Sequence, residues 1–312
     1  MKRVLIVLGS TLLGLLALLN LVAGCWILPP LLLRAPLPAR TEADRLRIRA
    51  ENCPAGCAWT SEIVAGGEGR PLRVWRLHRP GARGVAVLLH GFGDDAWGVA
   101  PLAKDLPGLD AVVFTFRNRD FDPATAATLG AWEREDLVAV VVRLVAQGMP
   151  RDRILLVGAS QGAGVALLAL ERLESDGGGP LGGALLESPF QNLREATRNH
   201  LRGSLGRAEW LLRPGERLAL ARAGRQAHFK AGEISPEAAT LRLRTRIALL
   251  AGDADPITPL AGVLAIARVH PDLTIVPGAQ HLEAGARIPG GWKAWAEVRL
   301  QRWGFQDPAW PQ

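Results

Sequence analysis

The strongest constraint on this chain comes from short runs that are apolar at every position: Val85–Leu89, Ile154–Val157 and Ile247–Ala251. A strand with one face in water alternates apolar and polar side chains, so an unbroken apolar strand needs cover on both faces. Helices supply that cover in a parallel sheet, and helix-forming sequence falls between the runs. Trp132–Gln147 carries an apolar stripe through Leu137, Val138, Val141 and Leu144, and further helices are predicted over Trp97–Leu106, from Gln161 to about Glu174, and over Trp292–Trp303. Thr60–Ala65, Leu72–Leu77, Ala111–Phe116, Ala184–Leu186 and Leu273–Val276 read as the remaining strands, the first two joined by a turn at Gly66–Gly69. The alternation predicts an α/β fold with a mainly parallel eight-stranded sheet flanked by helices. Residues 189–245 break the rhythm with helical sequence rich in Arg, Leu, Ala and Glu, and are expected to form a small helical lid between two strands.

A different pattern governs residues 1–33. Lys2 and Arg3 precede an uncharged run from Val4 to Leu33, broken by Pro29-Pro30. Val4–Leu28 exceeds the ~20 apolar residues that a helix needs to cross a bilayer core. Positive charge ahead of it favours a topology with the rest of the chain on the periplasmic or extracellular side. Residues 1–33 are therefore expected to be a membrane anchor. Val22-Ala23-Gly24-Cys25 also resembles the lipobox of bacterial lipoproteins, in which Cys25 would be lipidated, and cleavage as an ordinary signal peptide is a third reading. Residues 34–58 read as a linker, in which Cys53 and Cys57 either close a small disulfide loop or stay as two thiols. The net charge of +7 sits in residues 190–246, where 12 Lys/Arg face 5 Asp/Glu. These basic residues are spread among Leu and Ala at helical spacing, which fits solvated helix faces or anionic lipid headgroups and not nucleic acid. No His, Cys or acidic cluster has metal-ligand spacing, so neither a metal nor another cofactor is expected. Nothing in the sequence speaks to oligomeric state.

The chemistry-bearing residues follow strand ends. Gly158-Ala159-Ser160-Gln161-Gly162 lies between the Ile154–Val157 run and a helix. A sharp strand-to-helix turn exposes a serine hydroxyl above the sheet, and small residues two positions to either side relieve its crowding. His90-Gly91-Phe92-Gly93 follows the Val85–Leu89 strand. After Ile247–Ala251 comes Gly252-Asp253-Ala254-Asp255-Pro256, with two carboxylates, and after Leu273–Val276 comes Pro277-Gly278-Ala279-Gln280-His281. His78 lies on an early strand, His200 and His228 in the insertion, and His270 at a helix end before Pro271. In this order and context the motifs resemble the α/β-hydrolase superfamily over about residues 83–285. The resemblance implies an α/β-hydrolase catalytic domain at 59–306 with Ser160 as nucleophile and His281 as base, and with Asp255, ahead of Asp253, as the orienting acid. It also implies an oxyanion hole from the N–H groups of Phe92 and Gln161, each worth ~3 kcal/mol of transition-state stabilisation. His90 is read as a structural residue of its own turn.

The expected activity is hydrolysis of a carboxylic ester through an acyl-Ser160 intermediate, by a membrane-anchored esterase or lipase acting on a small-molecule or lipid-like acyl substrate. The same triad serves peptidases, thioesterases and acyltransferases, and a non-catalytic binding protein on this scaffold is the remaining alternative. Tyrosine is absent from the chain, which removes that side chain as an acid, base or oxyanion donor. Asp94-Asp95 and Arg117-Asn118-Arg119-Asp120 follow strand ends and are read as loop residues bordering the site at most, while Glu133–Asp136 is expected to be an exposed helix start.

Overall fold

The structure, a computed structural model, describes residues 2–36, 40–118 and 125–305. Arg119, Asp120 and position 306, the expected end of the catalytic domain, lie outside the described residues. Eight strands form one sheet: β1 (Ala58–Ala65), β2 (Pro71–His78), β3 (Val85–Leu89), β4 (Asp110–Phe114), β5 (Ile154–Ala159), β6 (Gly183–Glu187), β7 (Ile247–Gly252) and β8 (Leu273–Val276). Their spatial order is β1-β2-β4-β3-β5-β6-β7-β8. The β1–β2 and β2–β4 pairings are antiparallel and the rest parallel. The expected mainly parallel sheet is present. β3 and β7 are buried at every position, as their unbroken apolar runs require.

The helices are α1 (Lys2–Val22), α2 (Leu28–Leu33), α3 (Glu42–Glu51), α4 (Ala96–Val99), α5 (Ala131–Ala146), α6 (Gln161–Ser175), α7 (Leu193–Leu205), α8 (Arg213–Gln226), α9 (Pro236–Thr240), α10 (Leu260–Ala267), α11 (Ala284–Arg287) and α12 (Gly291–Arg302). Alternate strand residues feed two separate cores, as a period of two demands. Val85, Val87 and Leu89 pack with α5, α6 and α10 on one face. Ala86 and Leu88 pack on the other with Trp97 of α4 and with Trp295 and Leu300 of α12. The helix expected over Trp97–Leu106 is α-helical only in α4, and Ala100–Asp105 winds as a 3-10 turn. Pro101 has no N–H to continue the α ladder, which accounts for the change.

Two further stretches depart from the sequence expectation. The start of α5 is not an exposed face, because Glu133 and Asp136 are fully buried. Glu133 accepts hydrogen bonds from the Thr128 hydroxyl (2.6 Å) and from the N–H groups of Thr128 and Gly130 (both 2.8 Å). Asp136 accepts from Gly67 N–H at 2.8 Å and from the Arg117 and Arg70 guanidiniums at 3.0 and 3.2 Å. A full set of donors is what allows a carboxylate to leave water. Residues 34–58 contain α3, started by a Thr41–Asp44 capping box. Arg49 ties this helix to β2 and α4 by lying 4.5 Å from the Trp75 ring and 5.4 Å from that of Trp97. Cys53 and Cys57 are free thiols, and Cys53 donates to the Cys57 carbonyl at 3.2 Å, so the disulfide reading is not realised.

The N-terminal segment is one helix from Lys2 to Leu33, long and apolar enough to cross a membrane. A π-helical turn at Ala23–Ile27 joins α1 to α2 just before Pro29-Pro30, whose missing N–H groups disturb the ladder. Val4, Leu8, Leu12 and Leu15 are exposed. From Asn20 onward the helix rests on α8. Asn20 Nδ2 donates to the Leu211 carbonyl at 2.8 Å, and Gly215 N–H donates to Asn20 Oδ1 at 2.7 Å. A Cβ on Gly24 would stand 2.6 Å from the Gly215 carbonyl oxygen, so only glycine permits this approach.

Candidate active site

The site is assembled at the ends of β3, β5, β7 and β8, where a parallel sheet gathers its following loops on one edge. Ser160 ends β5 and starts α6 with φ 51° and ψ −113°, a conformation that L side chains rarely hold. The flanking glycines make the turn possible. A Cβ on Gly158 would lie 2.7 Å from the Gly162 carbonyl oxygen, and one on Gly162 would lie 2.6 Å from Leu89 C and 2.7 Å from His90 O. The helix therefore starts against the end of β3 with no room for a side chain. Its first-turn N–H groups, Gln161 among them, have no intrahelical carbonyl and face the Ser160 end.

A continuous hydrogen-bonded chain runs through Ser160. Ser160 Oγ is 3.0 Å from His281 Nε2, and His281 Nδ1 is 2.7 Å from Asp255 Oδ2. The Asp255 contact calls for the tautomer with hydrogen on Nδ1, which leaves Nε2 as acceptor for the serine hydroxyl. Asp255 is buried and further receives the Thr258 hydroxyl at 2.6 Å and the N–H groups of Ile257 and Thr258 at 2.8 and 2.9 Å. Burial pushes its carboxyl up, but the bonds from His281 and Thr258 outweigh this and hold it below the ordinary range. It stays an anion able to stabilise an imidazolium. Asp253 is spent elsewhere: its Oδ1 accepts Gly278 N–H at 2.6 Å and pins the loop that carries His281.

Phe92 follows β3 on a loop that passes beside the serine, since a Cβ on Gly91 would be 3.6 Å from Ser160 Cβ. Phe92, Ser160 and Gln161 line one cavity of about 550 Å³. Apolar side chains dominate the rest of its wall: Leu28, Leu31 and Leu32 from α2, and Leu193, Ala196 and Leu201 from α7. His90 is buried beneath it, bonded to the Gly91 carbonyl at 2.8 Å and to Phe116 N–H at 2.9 Å, which fixes the turn. His200, set aside on its position in the sequence, does line the cavity and packs edge-on against Phe92 at 6.0 Å. Its Nδ1 is 3.1 Å from the Ala196 carbonyl of its own helix. Asp94 and Asp95 bind Arg40 and Arg117 binds Asp136, so these strand-end residues brace loops.

Sequence reasoning missed two residues at the relay. Thr258 completes the shell of Asp255, and its spacing of three after an Asp is the signal that was available. Glu187 ends β6 and accepts Gly285 N–H at 3.0 Å just beyond His281. Burial raises its carboxyl above the usual range, against the opposing pull of Gly285, His281 and Ala284. No group of His, Cys, Asp and Glu among the described residues is arranged to hold a metal ion.

Comparison with known proteins agrees with this architecture. A profile of the alpha/beta hydrolase family matches residues 86–302. No curated protein matches the sequence. Among solved structures, an esterase of Pyrococcus furiosus superposes with a TM-score of 0.60 at 19% identity, over 88% of this chain and 98% of that one. A puromycin-hydrolyzing peptidase of Mycobacterium tuberculosis gives 0.55 at 17% identity, over 79% of this chain and 39% of that one. An esterase/lipase from an uncultured bacterium gives 0.54 at 18% identity, covering 93% and 98%.

Proposed function

Because this chain belongs to the alpha/beta hydrolase family, we propose that it hydrolyses a carboxylic ester through an acyl-Ser160 intermediate. The observation that carries the reading is the relay from Ser160 through His281 to Asp255, spanning 3.0 and 2.7 Å between residues far apart in sequence. In the first step Ser160 Oγ attacks the ester carbonyl carbon while its proton passes to His281 Nε2. The imidazolium is held by the Asp255 anion. Negative charge developing on the carbonyl oxygen is met by the Phe92 and Gln161 N–H groups, with α6 contributing the positive end of its dipole. His281 then protonates the departing alkoxide, and the C–O bond breaks to leave the acyl-enzyme. Water repeats the sequence, with His281 as base and Ser160 as leaving group.

The apolar wall favours an acyl group over a charged peptide as the part bound beside Ser160. The α7–α9 insertion acts as a lid over that acyl group, and the helix from Lys2 to Leu33 attaches the enzyme to a membrane with the catalytic domain outside. The test is covalent labelling by a fluorophosphonate probe together with turnover of p-nitrophenyl esters. Wild type is expected to label and turn over, and Ser160→Ala to do neither. A wild-type protein that fails to label removes the reading.

A further inference from the structure

The cavity beside Ser160 has an unusual wall. Leu28, Leu31 and Leu32, the residues that close it opposite α7, belong to the same helix that is apolar enough to cross a membrane. Leu31 lines the cavity and is also 62% exposed, so the cavity reaches the outer surface between α2 and α7.

The height of that opening follows from helix geometry. A hydrocarbon core of ~30 Å takes up about 20 helical residues at a 1.5 Å rise. Counted from Val4, the first residue after the Lys2-Arg3 pair, the core ends near Ala23. The catalytic domain is already in contact there: Asn20 bonds Leu211 and Gly215, and Gly24 packs on Gly215 and Leu218. With this helix taken as the span, the stretch from Leu205 to Arg213 falls at the membrane boundary. Its side chains suit that depth. Leu205 and Trp210 are 42% and 60% exposed, and Arg207 and Arg213 are exposed beside them. On the N-terminal helix, Trp26 and Ile27 are exposed too. Exposed tryptophans mark the interfacial layer, and long arginines keep their charge in headgroups while their stems remain in an apolar surface.

We infer that the substrate is the acyl ester of a membrane lipid, drawn sideways from the bilayer between α2 and α7 onto Ser160, with the Leu205–Arg213 edge seated in the interfacial layer. The N-terminal helix is then a retained wall of the acyl pocket. Cleavage ahead of Cys25 would strip Asn20, Ala23 and Gly24 from the joint with α8. This rests on the esterase reading above, and the experiment separates the two.

The full-length chain is reconstituted in vesicles of phosphatidylcholine, phosphatidylglycerol and diacylglycerol. Fatty acid released from the vesicles is measured beside hydrolysis of water-soluble p-nitrophenyl acetate. Leu205→Ser/Trp210→Ser, which alters exposed side chains outside the cavity, is expected to cut fatty-acid release by roughly tenfold or more, since interfacial seating scales with buried apolar area. Acetate hydrolysis stays at the wild-type rate. In the Ser160→Ala background, tryptophan quenching by lipids brominated near the headgroup end of the chain is expected to fall in Trp210→Phe. Three results overturn the inference alone: wild type that cleaves the acetate but leaves vesicle lipids intact, a double variant that releases fatty acid at the wild-type rate, or quenching unchanged in Trp210→Phe. Wild type inert to both substrates removes the esterase reading, and this inference with it.

Discussion

Asp253 and Asp255 stand two positions apart after β7 and perform different tasks. Asp255 is buried and gathers four donors, one of them His281 Nδ1, whereas Asp253 reaches out to Gly278 N–H. Removing the charge at Asp255 takes away both the tautomer preference of His281 and the anion that would stabilise it when protonated. Asp255→Asn is therefore expected to lower kcat on a soluble ester by on the order of 10,000-fold, the scale set by such carboxylates in serine hydrolases. Asp253→Asn keeps an acceptor for Gly278 and is expected to leave kcat near wild type, with at most ~1 kcal/mol of stability lost. The reverse ranking would reassign the acid. The pairing of Ser160 and His281 with a carboxylate could be anticipated from motif order. Which carboxylate turns inward could not be read with the same certainty, because it depends on how Pro256 to Thr258 fold around it. Glu187 has no local signal because its partner Gly285 comes from a separate loop, whereas Thr258 sits three residues after Asp255 in the same loop and was legible from that spacing.

Among the elements, the β5–α6 junction is the one whose geometry everything else serves. Its glycines are steric requirements, which allows a sharp comparison. A methyl group on Gly162 would press on Leu89 and His90 at the end of β3, while one on Gly232 in the insertion meets nothing within 4 Å. Gly162→Ala is expected to cost ~1–3 kcal/mol by overpacking and to abolish turnover as the serine shifts. Gly232→Ala is expected to change neither, and denaturant midpoints with ester turnover check both. The buried carboxylates of α5 carry the opposite lesson. Four consecutive charged residues at a helix start look like a solvated face, yet Glu133 and Asp136 point inward because Thr128, Gly67, Arg70 and Arg117 supply donors. Helical periodicity had no means of signalling the burial of Asp136, since Gly67, Arg70 and Arg117 lie on other elements, whereas Glu133 is held by Thr128 and Gly130 just ahead of its own helix.

At the scale of the whole molecule, the sheet and the insertion are secured differently. Neither of the two cores that sandwich the sheet includes a residue from the N-terminal helix, whereas Ala23 and Leu28 pack with Ala219 of α8. Deleting residues 2–36 is expected to leave amide protection in β3, β5 and β7 intact and to strip it from α7 and α8, as read by hydrogen exchange. Unchanged protection in α8 would show the helix to be a mere tether. By itself the sequence determined the parallel sheet, the sharp turn at Ser160 and the membrane-length helix, since each arises from local pattern: unbroken apolar strands, glycines spaced about a serine, and a long uncharged run. Tertiary structure alone decided that Asp136 is buried against Arg70 and Arg117 and that α2 walls the cavity beside Ser160, and it brought Asp255, the aspartate the motif already favoured, to His281. Those outcomes depend on contacts between segments tens to hundreds of residues apart, and periodicity along a chain carries no information about which distant surfaces will meet.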